Sequence, residues 1–359
     1  MMEVLEYQRV SDSPTVKHYT DWSAYEPFAG TLSRCPGDGF SYEASGDVRD
    51  GPRSIGALLP ADESKLAAMH YAALGGFRSI SIGGSASLAL EPRGIECGST
   101  VSRHSAILVE PGANVDLRIT LGGGAGKLDL SFVELVLGEG STANVLIYLG
   151  STGGAPSAAG LRAALGRRAR LNYVLLGSGG PMHHQDDRVL LGPSSALRAG
   201  AFLISPGGSR VDRFLGIDHA GEDSSSSASA MGIALGGGYS VMRGIARIEE
   251  GAARSRTEFT AGVALMGEGA RGYAVPMLEV HTGDVLEARH HSFEAKPDAD
   301  QLFYLRSRGL KEDEARDLII AGWAEAQLSA LEGALAGVAS GLLGEVMRAV
   351  TSAAPTSRQ

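Results

Sequence analysis

Ile107-Leu108-Val109-Glu110-Pro111-Gly112-Ala113 decides the fold, because its pattern recurs along the chain. An apolar pair or triple leads to Gly or Glu, then to a short turn of small residues and a second alternating strand. Copies follow at Val136-Leu137-Gly138-Glu139-Gly140-Ser141, Ala164-Leu165-Gly166-Arg167-Arg168-Ala169 and Leu190-Leu191-Gly192-Pro193-Ser194-Ser195-Ala196. The Gly/Glu position falls at 110, 138, 166 and 192, intervals of 28, 28 and 26. Ala246–Ala252 brings it to 249, about two units on, with a degenerate copy expected between Gly216 and Gly221. A sixth copy, Leu265-Met266-Gly267-Glu268-Gly269-Ala270, comes after a shorter step. A fixed period of short strands without helices between them predicts a β-solenoid. One coil alone would leave an apolar face in water and its edges unpaired, and stacking satisfies both. The alternative, a β-sandwich, has no reason to repeat at constant spacing.

Outward from the repeat, the character of the chain changes at both ends. Residues 1–80 are expected to be a mixed helical and irregular segment with short strands, 81–300 the β-helix core, and 301–359 a helical domain. ADESKLAAMHYAAL (61–74) reads as a helix with Asp62 and Glu63 at its positive end. FRSISIG and ASLALEP then alternate at period two, as strands do. Past Gly309 the period becomes helical. Ala315, Leu318, Ile319, Gly322, Trp323 and Ala326 form one stripe, with Glu312, Asp313 and Glu314 in the first turn. A second helix is expected over about 331–350. Within the repeat, GEDSSSSASA (221–230) reads as a bulging loop, and His183-His184-Gln185-Asp186-Asp187 as a polar turn between coils.

Composition narrows the function. Fifty glycines in 359 residues, with 43% hydrophobic and 6% aromatic residues, suit many tight turns better than a large aromatic core. A net charge of −9 with scattered basic residues argues against nucleic-acid binding. The longest helix-like apolar run, Gly333–Gly344, is shorter than the about 20 residues that cross a bilayer. No membrane partner and a cytoplasmic location are expected, since the amino-terminal residues lack an apolar signal region. Cys35 and Cys97 cannot build a disulfide framework and fit a reducing compartment. Leu121–Leu128 resembles a P-loop only superficially. Leu121 replaces the first glycine and Leu128 the magnesium-binding hydroxyl, so ATP binding by this chain is rejected.

The densest ionisable stretch is Pro276–Gly309, with Glu279, His281, Asp284, Glu287, His290 and His291 within thirteen positions. It begins as a strand in which Leu278 and Val280 alternate with Glu279 and His281. Pro276-Met277-Leu278-Glu279-Val280, then Gly283-Asp284-Val285, His290, and Asp300-Gln301-Leu302-Phe303-Tyr304-Leu305-Arg306-Ser307-Arg308-Gly309 resemble the carboxy-terminal signature of the SufB/SufD family, scaffold subunits of iron–sulfur cluster assembly. Gly283 replaces the first member of the family's acidic pair, and Arg289 and His291 flank the histidine in neither family pattern. Leu305, where SufB-like chains often carry cysteine, leans towards SufD.

The resemblance implies a right-handed parallel β-helix and a non-enzymatic scaffold. It implies a SufB-like homologue or second copy as one partner and a SufC-like ATPase as another. His290 is the expected interface and iron-binding residue, with His291, Glu287, Glu279 and Asp284 as accessory candidates. The stripe of Ala315, Leu318, Ile319 and Trp323 is the expected ATPase-docking surface. Clusters ordinarily need thiolates, and neither cysteine lies near His290 in sequence. The isolated chain is therefore expected to bind no stable cofactor, the iron–sulfur cluster being transient in the complex. Two competing readings are a β-helix carbohydrate-active enzyme, with Asp186, Asp187, Asp212 and Asp218 as candidate acids, and a purely structural interaction protein.

Overall fold

The computed structural model describes residues 5–7, 19–52, 56–94, 98–124, 126–150 and 153–353. Short helical pieces at Trp22–Ala24 and α1 (Glu26–Ala29) precede β1 (Phe40–Asp50), α2 (Lys65–Ala73) and the long β2 (Arg78–Pro92). The coils follow as β3 (Thr100–Val109), β4 (Asn114–Leu121), β5 (Leu128–Leu137), β6 (Thr142–Leu149), β7 (Ser157–Leu165) and β8 (Arg170–Ser178). Then come β9 (His183–Leu191), β10 (Ala196–Ser205), β11 (Arg210–His219), β12 (Ser225–Leu235), β13 (Tyr239–Ile248), β14 (Ser255–Met266), β15 (Arg271–Val280) and β16 (Val285–Ala295). Three helices close the described chain: α3 (Ala299–Ser307), α4 (Glu312–Leu328) and α5 (Ala334–Ala353).

Strands β3 to β15 of odd number stack in parallel on one side, and β4 to β16 of even number on the other. Strand β2 bends across both stacks, pairing with β3 through its first half and β4 through its second. The molecule is a β-solenoid of about eight turns. Residues Thr100, Leu128, Arg170, Ala196 and Ser225 each pair with the residue one coil away, and the advance per coil ranges from 26 between Ser157 and His183 to 32 between Tyr239 and Arg271. Among the described residues no helix lies between 103 and 280, and none is long and apolar enough to cross a membrane.

The repeated sequence unit is the corner from odd to even strands. Gly112, Gly140, Arg168, Ser194, Asp223 and Arg254 occupy the same corner position, all with φ between 54° and 72°. Each donates its N–H to the next coil, for example Gly112 to the Glu139 carbonyl, Gly140 to Arg167 and Arg168 to Pro193, at 2.9 to 3.0 Å. The backbone ladder thus continues through the corner. Gly267 and Gly269 lie in the opposite corner, between β14 and β15, which explains the short last step. The degenerate copy is the corner around Gly221.

Two local expectations change. Only residues 221–224 of GEDSSSSASA form a turn, and the rest begins β12. Its serines can be buried because they are partnered: Ser226 hydrogen-bonds Thr257 at 2.7 Å and His219 at 2.9 Å, and Ser224 bonds Ser255 at 2.8 Å. The His183–Asp187 run is likewise a strand, buried on both faces.

That double burial reflects three cores. Inward residues of both stacks form the solenoid interior, including Leu117, Val145, Leu175, Leu203 and Val263. Outside the even stack, Val174, Phe202, Ile204 and Met231 pack under Ile320, Ala324 and Leu328 of α4 and Leu335, Ala339 and Leu343 of α5. Outside the odd stack, Leu128, Leu130 and Phe132 pack under Tyr25, Leu66 and Met69 of the amino-terminal segment. Strand β1, where irregular chain with short strands was expected, runs antiparallel along β2 and covers its outer edge. At the other end, among the described residues, no strand pairs beyond β15 or β16.

Candidate functional site at the open end of the solenoid

The register places His290 at the end of one inward column. Leu88, Leu117, Val145, Tyr173, Ala199, Ala228 and Phe259 follow one another coil by coil, and His290 pairs with Phe259. The first seven are at most 3% exposed, whereas His290 is exposed. An imidazole thus stands where each earlier coil puts a hydrocarbon or aromatic group. Leu278 and Ala274 pack at the same mouth, on β15.

The other ionisable residues of the stretch do not join His290. Glu279 accepts from Arg247 Nε at 2.8 Å, and Arg247 also reaches Asp218 at 3.4 Å, an ion ladder across the outer face of the odd stack. His281 Nε2 lies 4.0 Å from Glu279. On β16, Glu287 pairs with Arg289, and they alternate with His290 on the strand, as His291 does, so they face the other way. Asp284 contributes its carbonyl to the corner ladder, accepting from Arg254 N–H at 2.7 Å. Among the described residues, no group of three or more His, Cys, Asp or Glu is arranged to hold a metal ion. Cys35 is buried under the amino-terminal segment and disulfide-bonded rather than reduced, so it offers no thiolate. Cys97 lies outside the described residues.

Beside this end, α3 and α4 enclose a groove of about 580 Å³ lined by Tyr304, Leu305, Leu318, Ile319, Gly322 and Trp323. The Asp-Gln-Leu-Phe-Tyr-Leu block therefore forms one wall, which the helical stripe alone did not reveal. Helix α4 has divided its apolar residues. Ile320, Ala324 and Leu328 are buried against the sheet, while Leu318 remains 52% exposed. Ala315 is fully buried and so is withdrawn from the expected docking surface. Phe303, 75% exposed, stands near the groove on α3.

Sequence reasoning missed a set of buried charges beneath the amino-terminal segment. Arg243 donates from Nε and Nη2 to both Asp212 oxygens, at 2.7 and 2.6 Å. Thr20 and His184 also bond Asp212, and Trp22 packs edge-on against His184 at 5.0 Å. Burial would raise the Asp212 carboxyl, but Arg243 and His184 overcome it and hold the group well below the ordinary carboxylate range. Arg162 and Arg188 do the same for Asp186. Asp187 faces the interior, accepting from Tyr173 at 2.6 Å. These acids are buried and engaged, and Asp218 is tied to Arg247, so no exposed acid pair exists for glycoside chemistry among them. The partners lie up to 192 residues apart, a distance local patterns do not register.

Residues 93–323 match the family model described as SUF system FeS cluster assembly, SufBD core domain. An iron–sulfur cluster assembly SufBD family protein of Mycobacterium bovis is 48% identical over 56 residues, 16% of this chain and 14% of the relative. Another from Mycobacterium leprae is 29% identical over 169 residues, 45% of this chain and 43% of its own length. The matched stretches thus span less than half of these relatives.

Proposed function

The chain belongs to the SufBD family of iron–sulfur cluster assembly proteins, and from that premise we propose that it is a SufD-like, non-enzymatic scaffold subunit. In this reading the open solenoid end meets a SufB-like homologue or a second copy, and the α3–α4 groove receives a SufC-like ATPase. The cluster is substrate, built transiently across the subunit junction.

One observation carries the reading: His290, a potential iron ligand, closes an otherwise buried column at an unpaired sheet end. Unpaired strand edges seek hydrogen-bond partners. Pro276, which lacks an N–H, is tolerated in β15 because that strand is an edge. A ligand-bearing end without local thiolates is chemically incomplete alone, and a cysteine-bearing partner would complete it. Leu305 supports the SufD-like assignment.

The test is anaerobic reconstitution with iron and sulfide, comparing the isolated chain with its complex with the SufB-like and SufC-like proteins. The complex should hold iron and sulfide and the isolated chain should not. His290→Ala should lower the complex's iron content without changing its mass by light scattering. A stable cluster on the isolated chain would overturn the proposal, and unchanged iron in the variant would leave His290 a structural residue. Co-purification from the native host decides between homologue and second copy.

A further inference from the structure

A second concave site lies on the outer face of the odd stack, away from His290. Tyr19, Thr20 and Asp21 of the amino-terminal segment close over Arg210, Tyr239, Arg271 and Tyr273, leaving a cavity of about 510 Å³. That volume is within the range of small-molecule sites.

The strand register builds its floor. Arg210 on β11 pairs with Tyr239 on β13, which pairs with Arg271 on β15. The three therefore form one outward column, with the two arginines roughly 10 Å apart at Cα. Arg210 is half committed, its Nη1 donating to Asp21 at 3.1 Å. The Arg271 guanidinium has no partner among the described residues. With Asp21 counted against them, the two arginines leave the site a net positive charge on a protein of net charge −9. The wall is aromatic. Tyr19 meets Tyr273 edge-on at 5.4 Å, Tyr239 meets it at 6.1 Å, and Tyr273 remains 50% exposed. Burial, reinforced by Asp212 and Tyr273, pushes the Tyr239 phenol up to about 12, so it remains a donor at neutral pH.

We propose that this cavity binds a small phosphomonoester carrying a planar ring, with Arg271 and Arg210 holding the phosphate and the tyrosines holding the ring. Guanidinium forks match phosphate oxygens in geometry and charge. Offset or edge-on packing on tyrosine selects a flat group beside the phosphate. No chemical step is implied; the site binds.

Calorimetric titration of the full chain with phenyl phosphate, inorganic phosphate and phenol tests it. Phenyl phosphate should bind with a salt-sensitive Kd, more tightly than either fragment. Arg271→Gln should weaken it about ten-fold or more, the scale of one charge-assisted contact. Asp21→Asn, which releases Arg210, should tighten it. Arg271 is exposed, and circular dichroism should show that its variant folds. Absence of phenyl phosphate binding, or equal binding by wild type and the folded Arg271→Gln variant, overturns the proposal. Equal affinity for inorganic phosphate and phenyl phosphate overturns the role of the ring.

Discussion

Gly200 of β10 lies directly beneath the Gln327 carbonyl of α4, so close that a Cβ on the glycine would collide with backbone. The end of α4 is seated there by Arg198, which donates to the Ser329 carbonyl at 2.8 Å and pairs with Glu332 at 3.0 Å. Gly200→Ala should force the helix off the sheet. A loss of about 1–3 kcal/mol is expected, as for other overpacked sites. Urea unfolding measures it, and hydrogen exchange over residues 312–328 should rise more than over β3–β6.

The groove gives a cleaner test of ATPase docking than removal of the terminal helices. Deleting residues 310–359 would bare Val174, Phe202, Ile204 and Met231, so the sheet would not stay intact and soluble. Leu318→Glu changes an exposed position instead and should alter stability by no more than about 0.5 kcal/mol. Pull-down with the ATPase should fail for this variant. Undiminished capture would place the contact elsewhere.

His219 predicts a pH dependence. Burial pushes its imidazole down to about 4, against about 6.5 in an unfolded chain. Below pH 6.5 the unfolded chain takes up a proton that the folded one refuses until about pH 4. Stability is therefore level above that window and falls as pH drops through it. His183, also held near 4, adds in the same direction. Urea midpoints between pH 7 and 4.5 should fall less steeply for His219→Gln than for wild type. Parallel slopes would mean that His219 does not contribute.

Asp212 anchors the amino-terminal segment. Asp212→Ala would remove the buried carboxylate that both Arg243 and His184 bond, and about 3–5 kcal/mol should be lost. Trp22, packed on His184, should redden its emission as the segment loosens. A stability change within about 0.5 kcal/mol would show that Arg243 finds another partner.

Much of this was readable in the chain, for a definite reason. The corner position of Gly112, Gly140 and Arg168 imposes a backbone constraint at each coil, so it surfaces as a period. The strand from Ser225 was not readable, because serine-rich sequence signals a turn unless neighbouring coils supply partners such as Thr257 and Ser255. His184 and Asp186 read as solvated for the same reason: their cover comes from Thr20, Trp22 and Glu63, far away in sequence. His290 was identifiable by motif. Its place in a buried column required the register.

The two ends of the solenoid are unlike, and this bears on stoichiometry. At one end β1 takes up the free edge of β2, and β1 itself carries an irregularity between Gly46 and Val48 and the charges of Glu43, Asp47, Arg49 and Asp50. Such features blunt an edge against further pairing. Among the described residues, the β15–β16 end is the one whose strand edges are left unblunted to template another strand. Units that meet edge to edge through that end would each consume these strand edges, so association by this route should stop at a pair and not propagate into a fibre.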